Sequence, residues 1–169
     1  LVRTIDLVME SFANNRKVLI FANFNACGPI IRSGMCPPAS VYWGAINGST
    51  PQEDRQRIVD EFEKHAGNAV LILNPKAAGA GLNITAATVV IHYTQVWNPA
   101  LEAQASARAH RRGQKNPVTV YHLYYADTVE QVMMERSEMR RELGAEAVPT
   151  SADDAADLSR ALSISPVSK

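Results

Sequence analysis

The chain has 169 residues, of which 46% are hydrophobic, so it is long enough for one globular domain with a buried core. Its formal net charge at pH 7 is zero, and charge balance alone therefore identifies no partner. No apolar run approaches the roughly 20 residues of a membrane span, and we expect no signal peptide. Cys27 and Cys36 lack the second pair or nearby histidines of a metal site, which predicts two free thiols in a reducing cytoplasm and no bound metal.

Apolar runs that are rich in Val, Ile and Tyr alternate with amphipathic segments along the chain. In chain order, we predict helix 4–14, strands 18–24 and 40–45, a helix from 50 to about 65, strands 69–73 and 88–93, a helix after Pro99, strand 118–124 and helix 128–143. The helix near residue 50 begins with a predicted capping box, Thr50 to Glu53, with Pro51 as its first helical residue. The alternation predicts a three-layer α/β fold whose mostly parallel sheet carries its ligand site at the carboxyl ends of the strands.

A loop of small residues, 74–83, follows the third predicted strand. Gly79 and Gly81 would let backbone N–H groups approach a phosphate without obstruction by side chains. The loop is not a P-loop, because no Gly-Lys-Ser/Thr follows the glycines. A tight turn packed beneath a helix explains the two glycines about as well.

The segment 104–114 carries an unusual concentration of arginine. Gln104, Arg108 and Arg111 are spaced i, i+4 and i+7, so a helix would present all three on one face. A neighbouring stripe of small apolar residues, which includes Ala109, would seat that helix on the sheet. Stacked guanidinium groups suggest a shared anion, since arginine makes bidentate contacts to phosphate oxygens. The alternative is an arginine-rich surface helix that makes ordinary ion pairs.

The order and spacing of the motifs strongly resemble the second RecA-like lobe of superfamily 2 helicases, of the Swi/Snf-type DNA translocases. The resemblance covers about residues 17–143. The motifs that carry it are Val-Leu-Ile-Phe-Ala-Asn-Phe (18–24), Asn-Gly-Ser-Thr (47–50), the loop 74–83, Trp-Asn-Pro (97–99), Gln104 to Gln114 and Asp-Thr-Val-Glu (127–130). The sequences Asn-Pro-x-x-Ala-Gly in the loop 74–83 and Arg-Arg-Gly-Gln at 111–114 resemble bacterial or phage members more than eukaryotic remodellers. We expect a RecA-like lobe over residues 1–146 and, over 147–169, an acidic tail that is partly disordered or forms a short bracing helix.

The resemblance implies a role in ATP hydrolysis for the arginine segment. Arg111 would be the arginine finger on the γ-phosphate, with Arg108 and Gln104 supporting it, although the two arginines could exchange roles. Gly81 and Asn83 match the part of the family's motif V that lies near the nucleotide. ATP and Mg²⁺ would be held mainly by an N-terminal RecA-like lobe of the same polypeptide, because this sequence has no Walker lysine loop and no Asp-Glu box. The isolated lobe is therefore expected to be inactive.

The resemblance also implies contacts to the backbone of DNA, which is expected to be duplex. The expected DNA-binding residues are Lys76, Asn74, Ser49, Thr50 and Trp97. Thr50 could instead serve only as a helix cap, and Trp97 could be a core aromatic residue. We expect Arg55 to hold an acidic neighbour inside the domain and the four histidines to be structural.

Two other functions stay open at this point. The chain could be a stand-alone nucleic-acid binding module whose arginines only grip phosphates, or a degenerate lobe that scaffolds a complex. For the motor, we expect a cytoplasmic, nucleoid-associated bacterial protein.

Overall fold

The computed structural model describes residues 1–77, 82–95, 106–107, 109 and 116–142. The elements in chain order are α1 (Val2–Ala13), β1 (Lys17–Phe21), α2 (Cys27–Met35), β2 (Tyr42–Ile46), α3 (Gln52–Lys64), β3 (Ala69–Leu73), β4 (Ala87–His92), β5 (Thr119–His122) and α4 (Val129–Glu142). The predicted helix after Pro99 and the predicted tail 147–169 lie outside the described residues, apart from 106–107 and 109.

The five strands form one sheet in the order β2-β3-β1-β4-β5, and every neighbouring pair is parallel. This arrangement confirms the predicted parallel α/β sheet. The first predicted strand, 18–24, is three residues too long at its end, because β1 stops at Phe21 and the chain then turns away into a loop. Within the described residues, no helix has the length and apolar character to cross a membrane.

Both faces of the sheet are covered, as the continuous apolar strands predict. On one face, Leu71 and its neighbours pack against the α3 residues Val59 and Phe62. On the other face, Val70 and its neighbours pack against α1 and α2. The sheet therefore lies between two helical layers, and both of its faces are covered by apolar side chains.

Helix α2 was not predicted from the sequence. It contains Gly28, Pro29 and Gly34, which are typical of loops. Pro29 is tolerated because it lies in the first helical turn, where backbone N–H groups have no partner inside the helix. Gly28 is buried, and a Cβ there would lie 3.5 Å from Ile72 Cδ1, an ordinary contact distance, so the helix packs on the side chain of Ile72 at this point.

The predicted capping box at the start of α3 is wrong. The N-cap is Pro51 rather than Thr50, and no side chain caps the helix. The Thr50 hydroxyl accepts instead from the Asn47 backbone N–H, at 3.0 Å. The turn 47–50 thus competes for the hydroxyl that the capping box requires.

Candidate functional site

Parallel strands bring their carboxyl ends to one edge of the sheet, and the loops that leave this edge form the candidate site. We define the strand-end surface as residues 22–26, 47–50, 74–77 and 93–95, which follow β1, β2, β3 and β4. None of these residues is acidic. A surface with many amides and hydroxyls, a lysine and no carboxylate is suited to an anion.

The turn 47–50 is organised by the side chain of Asn47. Its Oδ1 accepts from the Ser49 backbone N–H at 2.9 Å and from the Ser49 hydroxyl at 2.6 Å. The Thr50 backbone N–H donates to the Asn47 carbonyl at 3.1 Å, which closes the turn. Ser49, which is predicted to contact DNA, is exposed, but its hydroxyl proton is already donated within the turn.

Arg55 joins this turn to the loop after β3. Its Nε donates to the Thr50 carbonyl and its Nη1 to the Ala77 carbonyl, both at 3.0 Å. The expected acidic neighbour is therefore wrong, because the partners of the guanidinium are two backbone carbonyls. The side chain is internal to the domain, as expected, and holds two of the predicted DNA-binding loops together.

Asn74 and Lys76 have different roles in the loop after β3. The Asn74 side-chain amide donates to the Asn23 carbonyl at 2.9 Å, and its Oδ1 accepts from the Lys76 backbone N–H at 3.0 Å. Asn74 thus shapes the loop. Lys76 is exposed, and its ammonium has no hydrogen bond or ion pair with any residue that the structure describes.

Asn23 connects the ends of the central strands, and it was not singled out from the sequence. Its backbone N–H donates to the Thr94 hydroxyl at 2.8 Å and its side-chain amide to the Gln95 carbonyl at 3.1 Å. Gln95 in turn donates from Nε2 to the Leu123 carbonyl at 2.6 Å. Together with the bond from Asn74, these contacts link the ends of β3, β1, β4 and β5. The sequence signal that could have identified Asn23 is that a polar residue follows shortly after each buried strand.

A cavity of about 350 Å³ opens between α2 and the ends of β1, β2 and β3. Its lining combines the apolar side chains of Phe24 and Trp43 with the polar side chains of Arg32, Asn47 and Asn74. Phe24 is 69% exposed, although it lies only three residues after the end of the buried strand β1. The cavity therefore extends the strand-end surface toward α2 and adds a second cation to it.

Most of the predicted nucleotide-binding residues lie outside the described part of the chain: Gln104, Arg108, Arg111 and Gly81. The same holds for Trp97 among the predicted DNA-binding residues. Asn83 is described and exposed. Ala109 is fully buried in the core on the α3 side of the sheet, as expected for a member of the predicted apolar stripe, and the rest of that stripe lies outside the described residues.

The two cysteines are free, as predicted, with Cys27 buried and Cys36 exposed. Among the described residues, no group of His, Cys, Asp or Glu could hold a metal ion. The site on the strand-end surface is accordingly built from amides, hydroxyls and cations.

Comparison with known proteins gives a family for this chain. Residues 2–113 match the family model of the helicase conserved C-terminal domain. The chain is 36% identical over 139 residues to the chromatin-remodeling ATPase INO80 of Arabidopsis thaliana, which covers 82% of this chain and 9% of that protein. It is 34% identical over 139 residues to an uncharacterized ATP-dependent helicase of Mycoplasma pneumoniae, with 80% of this chain and 13% of that protein covered.

A solved structure extends the similarity to the fold. The SWI2/SNF2 ATPase core of Sulfolobus solfataricus, in complex with double-stranded DNA, matches with a TM-score of 0.69 and 26% identity, over 98% of this chain and 36% of that one. This match confirms the predicted lobe fold. The chain spans about a tenth of the length of the two curated relatives. Because those relatives come from a plant and a bacterium, they give no support to the predicted bacterial or phage origin.

Proposed function

Because the chain belongs to the family of helicase conserved C-terminal domains, we propose that it is the second motor lobe of an ATP-dependent translocase on duplex DNA. The observation that carries the proposal is the strand-end surface, which together with the adjoining cavity presents Lys76, Arg32 and polar amide and hydroxyl groups, and no carboxylate, along the ends of four parallel strands. A phosphate backbone is a regular array of anions that such an edge can follow.

On this proposal, DNA phosphates would lie along the turn 47–50 and the loop 74–77. Lys76 would supply the ammonium, since nothing among the described residues neutralises it. Ser49 would bind a phosphate by donating its hydroxyl or its backbone N–H to a phosphate oxygen in place of Asn47 Oδ1, whereas Asn74 and Arg55 would keep the two loops at a fixed separation. The duplex as substrate is supported by the relative that was solved with double-stranded DNA.

ATP would be the substrate of the complete motor, held with Mg²⁺ mainly by an N-terminal RecA-like lobe. The resemblance gives Arg111 the role of the arginine finger, with Arg108, Gln104, Gly81 and Asn83 near the nucleotide. A finger supplies charge to the phosphoryl group in the transition state and typically raises the rate by about 10³- to 10⁵-fold. The lobe alone would not hydrolyse ATP, and its setting would be the cytoplasm of a bacterium.

The test is DNA-stimulated ATP hydrolysis by the two-lobe protein with Arg111→Ala. We expect the rate to fall at least about a hundredfold while duplex binding persists. Arg57→Ala is the control, because Arg57 is an exposed arginine of α3 whose partners are Asp54 and Glu61 of the same helix. An unchanged rate in the Arg111 variant would contradict the motor, and binding of DNA by the lobe alone would then favour a stand-alone binding module.

A further inference from the structure

A row of three rings crosses the sheet at the end of its central strands. His92, the last residue of β4, pairs in register with Phe21 of β1 on one side and with His122 of β5 on the other. Its ring stacks on Phe21 at a centroid distance of 5.2 Å and on His122 at 4.7 Å, with interplanar angles of 21° and 2°. His92 is only 1% exposed. The imidazole is thus fixed in position and orientation by the sheet.

The fixed ring makes a hydrogen bond to the arginine segment. His92 Nε2 lies 2.8 Å from the hydroxyl oxygen of Ser106. The Ala109 backbone N–H donates to the Ser106 carbonyl at 3.1 Å, and Ala109 is itself fully buried against the sheet. The two described residues Ser106 and Ala109 thus both attach the segment to the sheet, Ser106 by a directional hydrogen bond and Ala109 by an apolar contact.

We propose that His92 is a positioning residue for the arginines, acting through Ser106. Arg108 follows Ser106 by two residues, and Arg111 follows it by five. A buried methyl group resists separation from the sheet but allows rotation and sliding, whereas a hydrogen bond to a stacked ring fixes both. The inference rests on the proposed function, because it assigns His92 an effect on the hydrolysis that Arg111 is proposed to promote.

The chemistry of the position favours this role over simple core packing. A leucine or phenylalanine would fill the buried space without the cost of desolvating a ring nitrogen. That cost is offset only where the nitrogen has a partner, and Ser106 provides one from the segment that carries the arginines. The register of the two strands that flank His92 makes the position of its nitrogen the same in every molecule.

The experiment uses the two-lobe protein with three substitutions. His92→Phe keeps an aromatic ring but removes the nitrogen, Ser106→Ala removes the hydroxyl, and Ser106→Thr keeps it. We measure kcat at saturating ATP and duplex DNA, the Kd for DNA, and the urea unfolding midpoint. His92→Phe and Ser106→Ala should each lower kcat about tenfold, below the roughly hundredfold that a displacement of 1 Å can cost. DNA affinity should stay within about twofold, and Ser106→Thr should retain most of the activity.

Two further variants separate the outcomes. The double variant His92→Phe/Ser106→Ala should lose no more than either single variant, and Ser106→Ala should add no loss in an Arg108→Ala/Arg111→Ala background. Changes in the unfolding midpoint alone, with kcat intact, would overturn the inference and leave His92 as a core residue. If Arg111→Ala abolishes hydrolysis and the His92 and Ser106 variants do not affect it, only the inference fails. If Arg111→Ala itself has no effect, the proposed function fails and the inference fails with it.

Discussion

Substitution of Arg55 by methionine should destabilise the domain, although Arg55 lies in a helix with solvent on one side. Its guanidinium donates to the carbonyls of Thr50 and Ala77, both at 3.0 Å, and these belong to two separate loops. Methionine has nearly the helix propensity of arginine, so the change in stability reports on the hydrogen bonds rather than on the helix.

The expected magnitude follows from the two contacts. A hydrogen bond from a charged donor contributes about 1.5–3 kcal/mol, but Arg55 is half-buried, so water would recover part of the loss at each carbonyl. We take about 1 kcal/mol for each bond, and hence about 2 kcal/mol in the free energy of unfolding. For a domain of this size, that corresponds to about 4–8 °C in the melting temperature.

The assay is urea unfolding of the chain, followed by circular dichroism, with Arg57→Met as the matched control. Arg57 lies two residues further along α3, its side chain is 63% exposed, and it pairs with Asp54 at 2.8 Å and Glu61 at 3.3 Å. Exposed pairs of this kind contribute little, so we expect no resolvable change in the control. Equal midpoints for the two variants at an unchanged m-value would refute the reasoning that Arg55 holds the two loops together.

Three further predictions follow from the described contacts. Gly44→Ala should lower the free energy of unfolding by about 1–3 kcal/mol, because the added Cβ would lie 2.9 Å from the Tyr42 ring. Gly48→Ala is the control for urea unfolding, since no atom lies within 4 Å of its added Cβ and no clash is expected. Burial raises the pKa of Tyr42 to about 12 from 10.0, so the folded state keeps a proton that the unfolded state loses. The free energy of unfolding should therefore decrease as the pH rises from 10.0 to about 12. Tyr42→Phe should remove this part of the pH dependence of the urea midpoint. Lys76→Gln should reduce the slope of log K for DNA against log salt by about 0.9, and Lys64→Gln, at an exposed position in the last turn of α3, should leave the slope unchanged.

The sheet was predictable because its signal is strong and local. Runs such as Ala69–Leu73 are apolar at every position and are buried at every position, so the pattern and the structure coincide. Alternation of such runs with amphipathic helices leaves few topologies. The burial of Ala109 was predictable for a similar reason, since a stripe of small apolar residues is expected to pack against the sheet.

The contacts that organise the site were less predictable, because they depend on backbone atoms that no motif specifies. Arg55 was expected to find a carboxylate, but the partners that three-dimensional packing brings to it are the carbonyls of Thr50 and Ala77. Helix α2 was missed because Pro29 and two glycines are typical of loops, whereas in the structure Pro29 lies in the first helical turn and the helix packs against the sheet. The bond from His92 to Ser106 joins residues 14 positions apart and leaves no pattern in the sequence.

The position of β1 in the sheet has a consequence for the synthesis of the protein. β1 is the central strand, yet its partners are β3 and β4, which come more than forty residues later in the chain. At a translation rate of about 5–20 residues per second, its apolar segment Lys17–Phe21 leaves the ribosome roughly 3–10 s before its first strand partner is complete. During that interval α1 and α2 can form but have no sheet to cover. The nascent chain therefore exposes the apolar residues of β1 to aggregation, and to binding by chaperones, until Leu73 has emerged.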